Sequence, residues 1–349
     1  MNIKQTLTFA VIAVLASSFA FSDDLKSLLT RSPGDSTRRL TRGSQAPAEN
    51  RAAGRELAQA EKPAAERPAP AKGEPQPSAV LIAASNRLKS HVSVRANITE
   101  KIAIQTHSFT ARGSYLQGQD LKLRMEFTVE LGGQKGSLLE VCDGQILWSR
   151  QDLGGKDQTQ ITRRDVRQIL QATEQAVQRM KTPDEKALWQ TSVTSDLGIG
   201  GLPALLAAFA KDYDFTKTTA SKIDDRDVVV LEGTWNAKYR AMWLGAKAKD
   251  KTPPPLPLYI PDSVKLSLDK ETEFPRRIEY LKLIPGQTTP TALMTVDFTK
   301  VVFNGKIARD DFVFIPPDRP PHVDITQMYL QHLAPPKAAT KTPAAEKAP

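Results

Sequence analysis

Between Leu121 and Leu131 every odd position is apolar and every even one is polar or charged. A period of two places Leu123, Met125, Phe127 and Val129 on one face of a strand and Lys122, Arg124, Glu126 and Thr128 on the other. Gly132-Gly133 ends this strand in a turn toward Gly136–Cys142, and Asp143-Gly144 opens a second tight hairpin into Gln145-Ile146-Leu147-Trp148-Ser149. Upstream, residues 92–104 and 108–116 read as two further strands, with Phe109, Ala111, Gly113 and Tyr115 sharing a side. Connections this short make consecutive strands antiparallel neighbours, so the first half is a meander.

The period then changes. From Thr162 to Met180, Val166, Ile169, Leu170, Thr173 and Val177 recur at three- and four-residue spacing, which predicts a helix capped by Thr162 with Asp165 three residues on. Gly200-Gly201-Leu202-Pro203 introduces a second, shorter helix in which Leu202, Leu205, Leu206 and Phe209 leave almost no polar face. Such a helix has to be covered. Strand signals resume at 213–222 and 227–235, joined through the turn Asp224-Asp225-Arg226. An irregular insertion comes next, holding Lys247 to Lys251 and the prolines at 253, 254, 255 and 257, which preclude a central strand. Four more strands are expected at 263–268, 276–283, 291–304 and 311–315, where Met294, Val296 and Phe298 alternate with Thr295, Asp297 and Thr299. A closing helix over 324–333 would turn Ile325, Met328, Tyr329 and Leu333 inward.

Nine to eleven one-sided strands interrupted by two apolar helices predict a mainly β (α+β) domain, a strongly curved antiparallel sheet wrapped about its helices. Two or three helices are too few to cover about ten strands, so part of the concave face stays available to a ligand.

Composition sets the limits of that domain. The run from Leu7 to Phe21 follows Lys4 and ends in small residues before Asp23-Asp24, which reads as a secretory signal peptide over 1–22. Cleavage after Ser22 fits Ala20-Phe21-Ser22, and cleavage after Ala20 is the alternative. Residues 23–77 are rich in Ala, Pro, Arg, Glu and Gln and read as a disordered linker; 335–349 read as a tail of the same kind. The folded domain is therefore expected over 78–334, in a protein exported to the periplasm. The formal net charge of +9 is spread among acids, which with export argues against nucleic acid; anionic head groups or a polyanionic wall are better partners, and an ordinary solvated basic surface is the reading preferred over both. Cys142 is the single cysteine, so no intramolecular disulfide is available, and its place at a strand end reads as buried structure.

Three phrases carry a resemblance. Asp143-Gly144-Gln145-Ile146-Leu147-Trp148 is a turn leading into an aromatic strand, and Phe274-Pro275-Arg276-Arg277-Ile278 enters another strand. The chain then closes with 301–307 and Phe312-Val313-Phe314-Ile315-Pro316-Pro317. In this order they resemble the periplasmic lipoprotein-carrier (LolA-like) family over 84–334, with the linker and the insertion at 237–258 lying outside its compact pattern. The resemblance implies an incomplete barrel lidded by two or three helices that binds acyl chains inside, and a final hairpin formed by the closing phrases.

Catalytic chemistry finds little support. His91, His107, His322 and His332 show no i,i+4 pair, Asp224, Asp225 and Asp227 lack the spacing of a calcium loop, and Gly198-Ile199-Gly200-Gly201 is not followed by the Lys-Ser/Thr of a phosphate loop. The expectation is a non-enzymatic binding protein with no cofactor and no metal. Its ligand is a lipid or an acylated lipoprotein, with an envelope protein as a further partner and membrane contact peripheral at most. The cavity candidates are Leu123, Met125, Phe127, Val129, Trp148, Leu205, Phe209, Met294, Val296 and Phe298. The alternative is a protein-interaction or envelope-stress sensing module on the same fold. The apolar helix carrying Leu205 and Phe209, flanked by glycines, is expected to act as a movable plug.

Overall fold

Twelve strands join in one curved, unclosed sheet in the computed structural model, which describes residues 76–104, 107–131, 134–152, 159–178, 200–245, 248 and 254–333. The segments expected to be a signal peptide and a tail, nearly all of the expected linker, and the glycines at 132, 133 and 198 lie outside the described residues. A helix α1 (Pro77–Ser90) precedes β1 (Ser93–Ile104), β2 (His107–Gly118), β3 (Lys122–Leu131), β4 (Gln134–Asp143), β5 (Ile146–Asp152) and β6 (Thr159–Asp165). Helices α2 (Val166–Gln178) and α3 (Gly201–Asp212) lead to β7 (Tyr213–Ile223), β8 (Arg226–Trp235), α4 (Ala237–Leu244), β9 (Ser263–Asp269), β10 (Pro275–Lys282) and β11 (Thr291–Phe303). A 3-10 turn (Arg309–Phe312), β12 (Val323–Asp324) and α5 (Thr326–Leu333) complete the described chain.

The strand order is β12-β6-β5-β4-β3-β2-β1-β11-β10-β9-β8-β7. It contains two antiparallel meanders, β1 to β6 and β7 to β11, joined along β1 and β11 with Ile98 opposite Phe298 and Glu100 opposite Val296. Asp224 and Asp225 both have positive φ, the geometry that a two-residue hairpin between twisted strands requires. The mainly β, helix-lidded open sheet expected from the alternation is the fold observed.

Several local expectations are corrected. Thr162 does not cap a helix: it lies in β6, opposite Ser149. The helix starts at Val166, where the Asp165 carboxylate accepts from the Gln168 amide at 2.9 Å. Residues 159–165 form a strand because β5 offers a free edge to pair with, and their own pattern is too polar to announce it. The predicted strand at 311–315 is instead a 3-10 turn followed by an extended strap, so no final hairpin forms. Its own amides bond locally, the Ala308 amide donating to the Asp311 carboxylate at 2.9 Å, while Arg124 of β3 donates to the Asp311 carbonyl at 3.4 Å and Phe312 docks against Gly118 on the outer face of the sheet. In the closing helix Met328 is 53% exposed, not inward, because Tyr329 takes the place facing Arg164.

Two helices went unread. α1 buries Leu81, Ala84, Ser85 and Leu88, a helical stripe written in small residues that continue the composition of the linker. α4 sits inside the expected irregular insertion; Asn236 caps it by accepting from the Tyr239 amide at 2.8 Å. Past it, buried Leu256 and Ile260 hold the proline-rich segment down, and Lys282, itself buried, donates to the Leu256 carbonyl and the Asp262 carboxylate, both at 2.9 Å.

Candidate ligand-binding site

The strand register sorts the side chains into faces. One row across the sheet reads Leu138, Phe127, Gly113, Ile98 and Phe298; the next reads Val129, Ala111, Glu100, Val296, Ile278, Leu266 and Leu231; a third reads Phe109, Ile102, Met294, Tyr280, Val264 and Gly233. Side chains directly opposite in an antiparallel pair share a face, so these rows form a single apolar surface. α1 and α3 pack together over it: the Ser85 hydroxyl donates to the Pro203 carbonyl at 2.8 Å, and Leu202, Leu206 and Phe209 are buried. This is the inner face. Phe127 lies low on it because Gly113, its partner on β2, has no Cβ; one built there would sit 1.8 Å from the Glu126 carbonyl oxygen.

α3 is held by its first turn. The Leu202 amide donates to the Tyr115 hydroxyl at 2.9 Å, and that hydroxyl donates to Gln117 Oε1 at 2.5 Å. This satisfies one of the amides that a helix N-terminus leaves open. Gly201, at φ +56°, admits the contact, since a Cβ there would fall 2.2 Å from the Tyr115 oxygen. Burial holds the Tyr115 hydroxyl protonated, against the opposing effect of its bond from Leu202.

At the other end of α3 the rings form a chain. Phe209 meets Tyr213 edge-on at 5.6 Å and Tyr280 at 6.0 Å; Tyr213 stacks on Trp235 at 3.9 Å, and Trp235 on Tyr239 at 3.9 Å. The Trp235 indole N–H donates to the Pro261 carbonyl at 2.6 Å, tying this aromatic stack to the proline-rich segment.

Within this apolar surface sits one carboxyl. Glu100 is 2% exposed, with Ala111 and Val296 as its cross-strand neighbours, and its Oε2 has no hydrogen-bond partner among the described residues. Burial pushes its pKa up to about 8, so it is neutral at pH 7. The Tyr213 hydroxyl likewise lacks a partner among the described residues. A second polar group of the inner face lies near the β6 edge, where Arg164 donates to Glu140 at 3.3 Å and faces the Tyr329 ring of α5 at 6.0 Å. That pair is compensated by its own charges.

The candidates read from the sequence divide accordingly. Leu123, Phe127, Val129, Phe209, Met294, Val296 and Phe298 are all buried, and the register sets the strand residues among them on the inner face; Met125 and Leu205 are half-buried. Trp148 is not with them. Its neighbour Leu147 faces inward opposite Cys142, while Trp148 points to the outer face and packs on Phe314 at 5.7 Å and His322 at 5.0 Å beneath the strap. Glu100, Tyr115, Tyr213, Trp235, Tyr239 and Tyr280 were missed. Glu100 carried a signal, a charged residue at an apolar position of the alternation Ile98, Glu100, Ile102.

Among the described residues no group of three or more His, Cys, Asp or Glu side chains is placed to hold a metal ion. Cys142 is fully buried on the inner face, where burial pushes its thiol up to about 11, so it is held as the thiol, away from nucleophilic chemistry. On the outer face a cavity of 420 Å³ lies between Lys122, Asp143, Arg309 and Phe312.

The open, helix-lidded sheet implied by the LolA-like motifs is the architecture found. No protein-family model matches the sequence, and no curated protein does. Among solved structures the chain is similar to the MucA/MucB complex of Pseudomonas aeruginosa, at 17% identity over 68% of this chain and 60% of that one, with a TM-score of 0.33. It is also similar to a LolA superfamily protein of Nitrosomonas europaea, at 15% identity over 69% and 99% of the two chains, TM-score 0.26. A third similarity is to the Mycobacterium tuberculosis lipoprotein LppX, at 10% identity over 66% and 98%, TM-score 0.32. The chain spans about 60% of the length of the MucB structures it matches. Similarities this low carry no functional argument, and the fold stands on the strand order itself.

Proposed function

We propose that this protein is a non-catalytic binding protein of the periplasm that holds a lipid or a lipoprotein acyl chain between the inner face of the sheet and α3. The observation that supports this reading best is α3 itself. It buries Leu202, Pro203, Ala204, Leu206, Ala208 and Phe209, nearly its whole circumference, yet hydrogen bonds at its first turn, the Leu202 amide to Tyr115 and Ser85 to the Pro203 carbonyl, fasten it to the sheet and to α1. A helix so apolar leaves its seat only when another apolar surface replaces it, at roughly 0.8 kcal/mol per methylene buried. An acyl chain is such a surface.

The test combines Leu205→Ala with Phe209→Ala. Large-to-small changes of this kind cost several kcal/mol of stability, and the enlarged pocket is expected to take up more of a fluorescent acyl probe than wild type. A folded double mutant that binds no more probe than wild type returns α3 to ordinary core. Native mass spectrometry of the purified protein before and after delipidation is expected to show a retained acyl species.

The second reading, a protein-interaction or stress-sensing module, is favoured by β7. It ends the sheet, and residues 217–222 on it are exposed, so its outer row of backbone groups is open to an added strand. A copurifying protein with no retained acyl species would favour this reading.

A further inference from the structure

The cavity of 420 Å³ on the outer face lies where the chain from 307 to 313 crosses the start of β3 and the end of β4. Its floor is Phe312, 5% exposed and close against Gly118, where a Cβ would sit 3.1 Å from the ring. Ile307 and Val313 extend this apolar wall. The crossing segment is pinned to the sheet by Arg124, which donates to the Asp311 carbonyl at 3.4 Å, and by Arg95, paired with the Asp311 carboxylate at 3.5 Å. Those two cations are occupied in holding the wall. Lys122 and Arg309 are not: both line the cavity, and neither forms an ion pair among the described residues. Lys122 stands directly opposite Asp143 across β3 and β4, where an opposite-charge pair would ordinarily form. The Asp143 carboxylate instead serves its own turn, Oδ1 accepting from the Gln145 and Ile146 amides at 2.7 and 2.8 Å. That leaves Lys122 to face the cavity, and Oδ2 of Asp143 open to a further donor.

Independently of the inner face, we infer that this cavity takes the C-terminal residue of a polypeptide whose last side chain is apolar. A chain end offers three features in one unit, and the cavity answers each. Its carboxylate suits Lys122 and Arg309, two flexible side chains on the wall of one cavity that can turn their charges to the same group. Its side chain suits the wall of Phe312, Ile307 and Val313, and its amide N–H suits the open oxygen of Asp143. Upstream residues of the peptide would lie along the strap, where Val313 and Ile315 are 46% and 83% exposed. A bare inorganic anion would leave the apolar wall uncovered, and a fatty-acid anion brings no donor for Asp143. Nor does the rim suit an anionic membrane, since Asp143 and Asp310 are exposed there beside Lys306 and Arg309 and no polybasic field results.

The probe is a hexapeptide ending in Ala-Leu, labelled with fluorescein at its N-terminus and titrated into the full-length protein by anisotropy, as the free acid and as the C-terminal amide. The acid is expected to bind about tenfold more tightly than the amide, because hydrogen bonds to an ionised carboxylate are about twice as strong as neutral ones. Lys122→Met combined with Arg309→Gln, which removes both charges but keeps the aliphatic stems, brings the acid down to the affinity of the amide; each single change weakens the acid several-fold. Replacing the final Leu of the peptide by Gly weakens both forms. The urea midpoint of the double variant stays at the wild-type value, since neither cation has an ion pair to lose. Equal affinity for acid and amide, a preference that survives the double variant, or binding of neither peptide overturns the site. So does displacement of the peptide by inorganic phosphate at equal concentration, which marks a general anion site, or by phosphatidylglycerol vesicles that bind wild type and not the double variant, which marks a membrane contact. Uptake of the fluorescent acyl probe, measured on the same samples, reports the inner face separately and is unchanged in the double variant.

Discussion

Removing one oxygen atom should loosen α3 without touching its apolar packing. In Tyr115→Phe the ring remains, but the Leu202 amide loses the acceptor at 2.9 Å and Gln117 loses the donor at 2.5 Å. Each hydrogen bond contributes about 1 kcal/mol net, and the orphaned amide, buried on the sheet side of the helix, adds a desolvation cost of about 1–3 kcal/mol. The sum is about 3–5 kcal/mol, most of it local to the first turn of α3. Two measurements separate local from global loss. Urea unfolding reports the total, and amide hydrogen exchange at Leu202 reports the opening of that turn, expected to rise about 30-fold for a local loss of about 2 kcal/mol. Uptake of the fluorescent acyl probe should rise with it, because a more populated open helix lowers the apparent dissociation constant. Unchanged exchange at Leu202 in a variant of unchanged stability would refute the fastening of α3 by Tyr115.

Phe127→Asp is expected to abolish folding, since it places an unpaired charge where a 3% exposed ring now packs over Gly113, whereas Glu126→Ala costs under about 1 kcal/mol by loss of a half-exposed ion pair to Arg124. Equal losses, followed by circular dichroism and urea midpoint, would mean that the two faces are wrongly assigned. Glu100 sets a pH dependence. Its folded pKa of about 8 lies above the value of 4.5 for a free glutamate, so the native state binds the extra proton between them. Stability therefore falls as pH rises from about 5 to 8, by about 1.4 kcal/mol per pH unit and of order 5 kcal/mol in all, and levels off above. Glu100→Gln removes this slope; parallel wild-type and mutant curves over that window would contradict the burial of an acid there.

The strands were legible where one face is wet. Leu121 to Leu131 announces both its period and its inward side because Arg124 and Glu126 must reach water while Phe127 must not. Trp148 shows the limit of this logic. Alternation says that Leu147 and Trp148 oppose each other, and nothing local says that a strap carrying Phe314 covers the outer face, so that the larger ring belongs outside. α1 was hidden for a different reason: Leu81, Ala84, Ser85 and Leu88 keep helical spacing, but half the stripe is too small to stand out from an alanine-rich background. The inner-site tyrosines could not be assembled from sequence at all, since Tyr115, Tyr213, Tyr239 and Tyr280 come from four elements and meet only through tertiary packing. Glu100 alone was readable, as a violation of its strand's pattern.

The antiparallel union of β1 with β11 gives the chain an order of assembly. Every other long pairing in the sheet joins strands that follow one another in sequence, but Val94 meets Phe303 across some 200 residues. Closing a loop of that length costs about 3 kcal/mol more chain entropy than closing a ten-residue hairpin, so each meander forms on its own before the two dock. Until β11 arrives, β1 is a twelve-residue open edge with Ile98 and Ile102 bare, a template for pairing with the wrong chain. Synthesis runs from the N-terminus, so this edge is the first to emerge and stays bare until β11 is made. The vulnerable moment in the life of this protein is therefore the interval between making β1 and making β11, and it is there that a helper protein, or a slow step in synthesis, would have the greatest effect on yield.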